Sequence, residues 1–252
     1  MQVGREASIA REREFHNHRF GQEEDPRKHL DKWYRAIRHG SEWQDREIIR
    51  LAKDADVLEY GCADGEWSLS SLRLPDVCRS LAGIDISDVA VTKANEQARA
   101  LGKTNATFFA MDAEAMSFED NSFDLVYGRG IIHHLDLHRC FSEVARVLKP
   151  TGVAYFSEPM GHNPVLNAYR RRTPDMRTVD EHPLLVRDFA LMHRYFSDVR
   201  VTYYGLFSVA SALVPSRISE IVYTAGKAVD SVVLGLPYVK RFAWHALLTF
   251  KV

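Results

Sequence analysis

Five short apolar runs punctuate the middle of the chain, at 57–60, 81–85, 107–111, 123–127 and 153–157, each too short for a helix and each followed by turn residues or helical spacing. Residues 88–101 read as a helix. Leu137, Phe141, Val144 and Leu148 recur at helical spacing, with Pro150 and Gly152 expected to close that helix. Apolar runs alternating with helices predict a parallel sheet covered on both faces. Two more runs, at 199–204 and 242–252, supply the last two strands.

Three segments stand outside this alternation. The first 45 residues are polar, with Trp33, Tyr34 and Trp43 near their end, and are expected to form an N-terminal helical cap on a domain spanning 46–252. Residues 159–182 leave the carboxyl end of the fifth strand, where prolines break them into short pieces, and are expected to form part of a substrate wall. Residues 205–241 are mostly apolar, with isolated charges at Arg217, Glu220, Lys227 and Asp230, which predicts one or two amphipathic helices. Their apolar face must be covered by the sheet, a second subunit in a homodimer, a lipophilic substrate or peripheral contact with a membrane surface.

Chemistry concentrates at the end of the first strand. Residues 57–65 read Val-Leu-Glu-Tyr-Gly-Cys-Ala-Asp-Gly, and Gly-Ile-Asp-Ile-Ser follows at 83–87. A buried strand would deliver Gly61, Ala63 and Gly65 to its carboxyl end, where glycine lets a backbone approach a ligand closely. Asp85, closing the second strand, is placed to accept both hydroxyls of a ribose. The dinucleotide pattern G-x-G-x-x-G has different spacing and anchors a pyrophosphate, so it fits this loop less well.

These residues resemble the class I S-adenosylmethionine-dependent methyltransferases, in particular the methyltransferase type 11 and quinone-biosynthesis group. Residues 59–65 match that family's E/D-x-G-x-G-x-G loop, with Ala63 replacing the middle glycine; Asp85 matches its ribose acid and Asp112 its adenine-side acid. Gly-Arg-Gly-Ile-Ile-His-His-Leu after residue 127 and the stretch 147–158 continue the match in register. The resemblance implies an α/β, Rossmann-like sheet of seven strands, mostly parallel with the last strand inserted antiparallel, plus helical additions. It also implies S-adenosyl-L-methionine as cofactor, held by Glu59, Gly61, Cys62, Ala63, Gly65, Asp85, Ile86, Asp112, Ala113 and Arg129.

A sulfonium methyl is already electrophilic, so alignment and exclusion of water are the main demands. A hydroxyl acceptor must still lose a proton, and His133 or His134, just after the fourth strand, is the expected catalytic base; the competing reading has them shape the loop. Glu158, His162 and 180–182 are further titratable groups that either orient substrate or cap turns. His133, His134, Asp136 and His138 do not share a helical face, so no metal site is expected from them. Trp67, near the start of the helix expected after the loop, reads as core, and Cys62 as a small buried hydrophobe.

Composition narrows the partners. Lys and Arg total 33 against 34 Asp and Glu, and no basic, aromatic-rich domain is appended, so nucleic acid is not expected. Three scattered cysteines suit a reducing, cytoplasmic setting. The longest uncharged stretch, 201–216, is short for a membrane span, and the polar first forty residues do not read as an export signal. The expected function is methyl transfer to a small acceptor with lipophilic character, at oxygen first and at carbon or nitrogen otherwise. The alternative is a noncatalytic cofactor-binding or scaffold protein of the same fold.

Overall fold

The computed structural model describes residues 2–22, 31–173, 178 and 181–252. Three helices come first: α1 (Gln2–Gly21), α2 (Asp31–Ala36) and α3 (Arg38–Ala52). There follow β1 (Asp56–Tyr60), β2 (Ser80–Asp85), α4 (Asp88–Ala100), β3 (Ala106–Ala110), β4 (Phe123–Arg129), α5 (Leu137–Val147) and β5 (Leu148–Pro159). The chain closes with α6 (Pro164–Arg172), α7 (Phe189–Met192), β6 (Asp198–Tyr204), α8 (Ser216–Val233) and β7 (His245–Lys251).

Among the described residues the strands form one sheet in the order β3-β2-β1-β4-β5-β7-β6. The first five are mutually parallel, and β7 runs antiparallel between β5 and β6, as the resemblance implies. The order reverses beside β1, so the carboxyl ends of β1 and β4 open a crevice, the usual ligand position in such sheets. Both sheet faces are packed: Tyr60, Phe141, Phe156 and Phe250 fill one side, and Ile48, Leu69, Val91 and Tyr127 the other.

Helix starts follow side-chain capping. Ser87 accepts the Ala90 N–H at the start of α4, Asp136 accepts the Arg139 N–H at α5, and Asn163 accepts the Val165 and Leu166 N–H groups at α6. Two sequence expectations change. The α5 helix stops at Val147, before Pro150 and Gly152, because Leu148 already pairs with Phe123 in β5 and Lys149 reaches Asp56 and Asp124, each at 2.8 Å. After the loop at 61–65 no long helix follows: the serine-rich Trp67–Ser71 makes a single wide turn, and Pro75 sits in a short 3-10 turn, Leu74–Asp76. The expected boundary at residue 45 falls inside α3, and Asp180 lies outside the described residues.

The segment 205–241 contains a 3-10 stretch, Ser208–Leu213, and then α8. Buried Asp230 on α8 accepts the N–H groups of Leu206, Phe207 and Ser208, which fastens the segment to the end of β6. Ile221 and Val232 are 70% and 73% exposed, while the opposite face of α8 meets the 3-10 stretch through Gly226, and His39 and Arg38 of α3 through Tyr223, rather than the sheet. No described helix is long and apolar enough to cross a membrane.

Candidate active site: two cavities meeting at His134

The loop after β1 turns through left-handed backbone at three alternate positions, Gly61 (φ 76°), Ala63 (φ 50°) and Gly65 (φ 80°). A Cβ on Gly61 would come within 3.1 Å of Ile131, and one on Gly65 within 3.1 Å of Ala94 and Leu69. Ala63 bears its methyl in a region that costs an L-residue about 1–2 kcal/mol. Ala63→Gly is therefore expected to stabilise the chain by about 0.5–1 kcal/mol, read as a higher denaturant midpoint at unchanged slope. The loop is held by Asp85, whose carboxylate accepts the Ala63 N–H and the Ser87 N–H, each at 2.9 Å.

Around this loop lies a cavity of about 490 Å³. Glu59, Gly61, Cys62, Ala63, Asp85, Ile86, Asp112, Ala113 and Arg129 all line it; Gly65 is buried behind the turn. Cys62 is buried and burial pushes its thiol well up, consistent with a small hydrophobe. Arg129 donates to Gln44 (2.8 Å) and Asp45 (2.7 Å) and lies 4.2 Å over the Trp67 ring, so Trp67 both packs and lines the cavity. Glu59 is 1% exposed, and neither of its carboxylate oxygens has a hydrogen-bond partner among the described residues. Burial pushes its carboxyl up to about 8, opposed by the nearby Ser68 and Tyr127 hydroxyls and reinforced by the charges of Asp85 and Asp64.

The outer wall of the cavity is α1. Its Arg5 donates to Asp112 (2.5 Å) and Glu114 (3.0 Å), Asn17 donates to Asp88 (2.8 Å), and Ile9, Glu12, His16 and Phe20 face inward. Sequence reading assigned no role to these α1 side chains, because charged residues spaced along a polar helix look the same on a solvated one.

A second cavity, about 590 Å³, adjoins the first. Its walls are apolar and aromatic: Trp33 and Tyr34 from α2, Val165, Leu166 and Tyr169 from α6, Val209 and Leu213 from the 205–241 segment, and Trp244 before β7. Trp43 lines neither cavity. Its polar lining includes Arg170 and Arg172 of α6 and Ser157, which meets the Tyr204 hydroxyl at 2.7 Å and His245 Nδ1 at 3.4 Å. Burial lowers His245 to about 3, leaving it neutral. Arg129, Gly130 and His134 line both cavities, so the two meet there.

His133 faces the second cavity beside that junction. Glu158, wholly buried at the end of β5, accepts the N–H groups of Ile131 (3.0 Å) and Ile132 (2.9 Å), and its other oxygen lies 2.7 Å from His133 Nδ1. Glu158 thus caps the turn after β4 and fixes the ring, with Nδ1 donating and Nε2 carrying the lone pair. Burial, then the neighbouring His134, lowers the His133 pKa. Glu181 Oε1 lies 3.7 Å from His133 Nε2, and Glu12 Oε2 lies 3.5 Å from His134 Nδ1. Asp136 and His138 are elsewhere, capping α5 and bonding the Tyr195 hydroxyl, and His162 accepts the Val186 N–H.

Comparison with known proteins gives this geometry a family: the model described as "Methyltransferase domain" matches residues 57–152. Those residues form a methyltransferase domain. Sterol 24-C-methyltransferase of Aspergillus fumigatus is 28% identical over 167 residues, 66% of this chain and 41% of that protein. Demethylmenaquinone methyltransferase of Chlorobaculum parvum is 29% identical over 139 residues, 54% of each chain. The chain thus spans about half, or less, of the curated relatives it matches. Geranyl diphosphate C-methyltransferase of Streptomyces coelicolor, solved with S-adenosyl-L-homocysteine, superposes with a TM-score of 0.57 at 14% identity, over 83% of this chain and 77% of that one. Phosphoethanolamine N-methyltransferase 2 of Haemonchus contortus, solved with S-adenosyl-L-methionine, gives 0.56 at 18% identity, over 82% and 52%. Residues 57–152 supply the first cavity apart from its α1 wall, whereas much of the second is built outside them, from α2, α6, the 205–241 segment and β7.

Proposed function

We propose that the chain transfers the methyl group of S-adenosylmethionine to a small acceptor with an apolar body, oxygen being the favoured acceptor atom. The observation that carries this reading is the contact of two chemically different cavities at His134 and Gly130. The first has features suited to a cationic nucleoside: the left-handed loop, Asp85 for the ribose hydroxyls, Asp112 toward the adenine side, and Glu59 toward the amino-acid end. Cys62, Ala63, Ile86, Ala113 and Arg129 complete its wall. The second offers aromatic and aliphatic walls, and an amphiphilic acceptor would lie with its reactive group toward His133 and His134, where the two cavities meet. Those imidazoles, with Glu158 orienting His133, are the groups that deal with the acceptor's proton.

Transfer requires the acceptor atom in line with the methyl–sulfur bond at close range. The acceptor's lone pair forms the new bond to carbon, the carbon–sulfur pair goes to sulfur, and a neutral thioether leaves. A panel of phenolic and aliphatic alcohols of graded hydropathy, incubated with labelled cofactor, tests the reading. Methylation is expected to favour the apolar members. Cofactor binding without transfer to any member would support a noncatalytic role instead, and an equal rate across the panel would separate the aromatic wall from selectivity.

A further inference from the structure

We infer that His133, His134 and Glu181 form a binding site for a divalent transition-metal cation of the zinc type, facing the acceptor cavity. One ligand atom from each of the three residues lies within 4.8 Å of the other two. His133 is buried and the other two are half-buried, and all three line the second cavity. Two imidazoles and one carboxylate, with further positions open, are a donor set that suits zinc and its first-row neighbours better than magnesium or calcium.

The supporting shell is the second observation. A metal-bound histidine commonly donates its remaining N–H to a carboxylate, which fixes the tautomer and the ring. Glu158 does this for His133: its Oε2 lies 2.7 Å from Nδ1, while Oε1 is tied to two backbone N–H groups. The His133 nitrogen that faces Glu181 is Nε2, left as the ligand atom. Coordination bonds of about 2.0–2.2 Å place tetrahedral donors about 3.4 Å apart. Closing the cluster therefore needs shifts of about 1 Å, which rotation about the Glu181 side-chain bonds can supply.

The chain spacing hides this site. His133 and His134 are adjacent, and Glu181 is brought to them by the bond from the His182 N–H to the His133 carbonyl oxygen, 2.8 Å. A cation here would occupy the imidazole lone pairs and, in place of their role as base, present its open positions to an acceptor oxygen and lower the pKa of that hydroxyl, its proton passing to solvent. The inference rests on the methyl-transfer reading for that use, but the site itself is testable without turnover.

The experiment is a titration of chelator-treated, full chain with Co²⁺, read by its visible absorption, followed by displacement with Zn²⁺. One Co²⁺ per chain is expected, with Glu181→Gln and His134→Gln each weakening binding about 10-fold or more while circular dichroism stays unchanged. No Co²⁺ band, or equal affinity in both variants, overturns the site. S-adenosylmethionine binding measured on the same samples keeps the two readings apart: a chain that binds cofactor and no Co²⁺ defeats this inference alone, and one that binds Co²⁺ and no cofactor defeats the methyl-transfer reading.

Discussion

Asp85→Ala is expected to weaken S-adenosylmethionine binding about 100-fold or more in calorimetry. Its carboxylate serves two purposes. It accepts the Ala63 and Ser87 N–H groups and so holds the loop in its left-handed path, and it lines the cavity where a ribose would sit, with lone pairs left on both oxygens. Hydrogen bonds to a charged group contribute about 1.5–3 kcal/mol each, so losing two ribose contacts alone corresponds to ~3 kcal/mol or more. Asp85→Asn keeps one acceptor oxygen and loses the charge, and should fall between wild type and alanine. Unchanged affinity in the alanine variant would remove Asp85 from the cofactor site.

The second large effect concerns Glu59. Its carboxyl is buried, and burial outweighs the nearby Ser68 and Tyr127 hydroxyls to push it up to about 8 from an ordinary 4.5. Between those values the folded chain holds a proton that the unfolded chain has released, so stability is fully present below pH 4.5 and declines as pH rises towards 8. At 1.36 kcal/mol for each tenfold step, the loss across the window is ~4 kcal/mol. Glu59→Gln removes the titration. The variant is expected to be the more stable chain at pH 8 and to match wild type near pH 4.5, by thermal or denaturant melts at both. Parallel pH profiles for the two chains would refute the assignment. The same burial would favour a cationic ligand: an ammonium beside Glu59 would supply the counter-charge that desolvation leaves wanting. Cofactor binding below pH 8 should therefore release a proton, visible as a heat that depends on the ionisation enthalpy of the buffer, and Glu59→Gln should abolish that dependence.

The sheet and the first cavity were legible because both are written locally. Strand β2 ends at Asp85 as expected and β1 at Tyr60, since a buried run bounded by turn residues admits few other registers. The loop's left-handed positions fall on Gly61, Ala63 and Gly65 because glycine marks such backbone, and the alanine betrays itself only by spacing. The second cavity was legible as a list of segments and not as residues. Ser157, Tyr204 and His245 lie on three strands, and the first reaches the last only because β7 runs antiparallel beside β5. Nothing in a strand's own pattern tells which of its polar residues will face a cavity. The wide turn at Trp67–Ser71 was missed for a different reason: its serines compete for backbone groups and weaken a helix that apolar spacing alone would allow.

The placement of β7 also bears on how the chain is made. Strands β1 to β5 are complete once residue 159 has left the ribosome, and their ladders need nothing later in the sequence. Among the described residues β6 ladders only with β7, so residues 198 to 204 wait unpaired until 245–251 arrive to bridge them to β5. A nascent chain therefore passes through a stage with the nucleoside half assembled and the acceptor half open. An unpaired strand edge and an apolar 205–241 segment are exposed together at that stage, which makes it the point in synthesis where this protein most needs protection from aggregation.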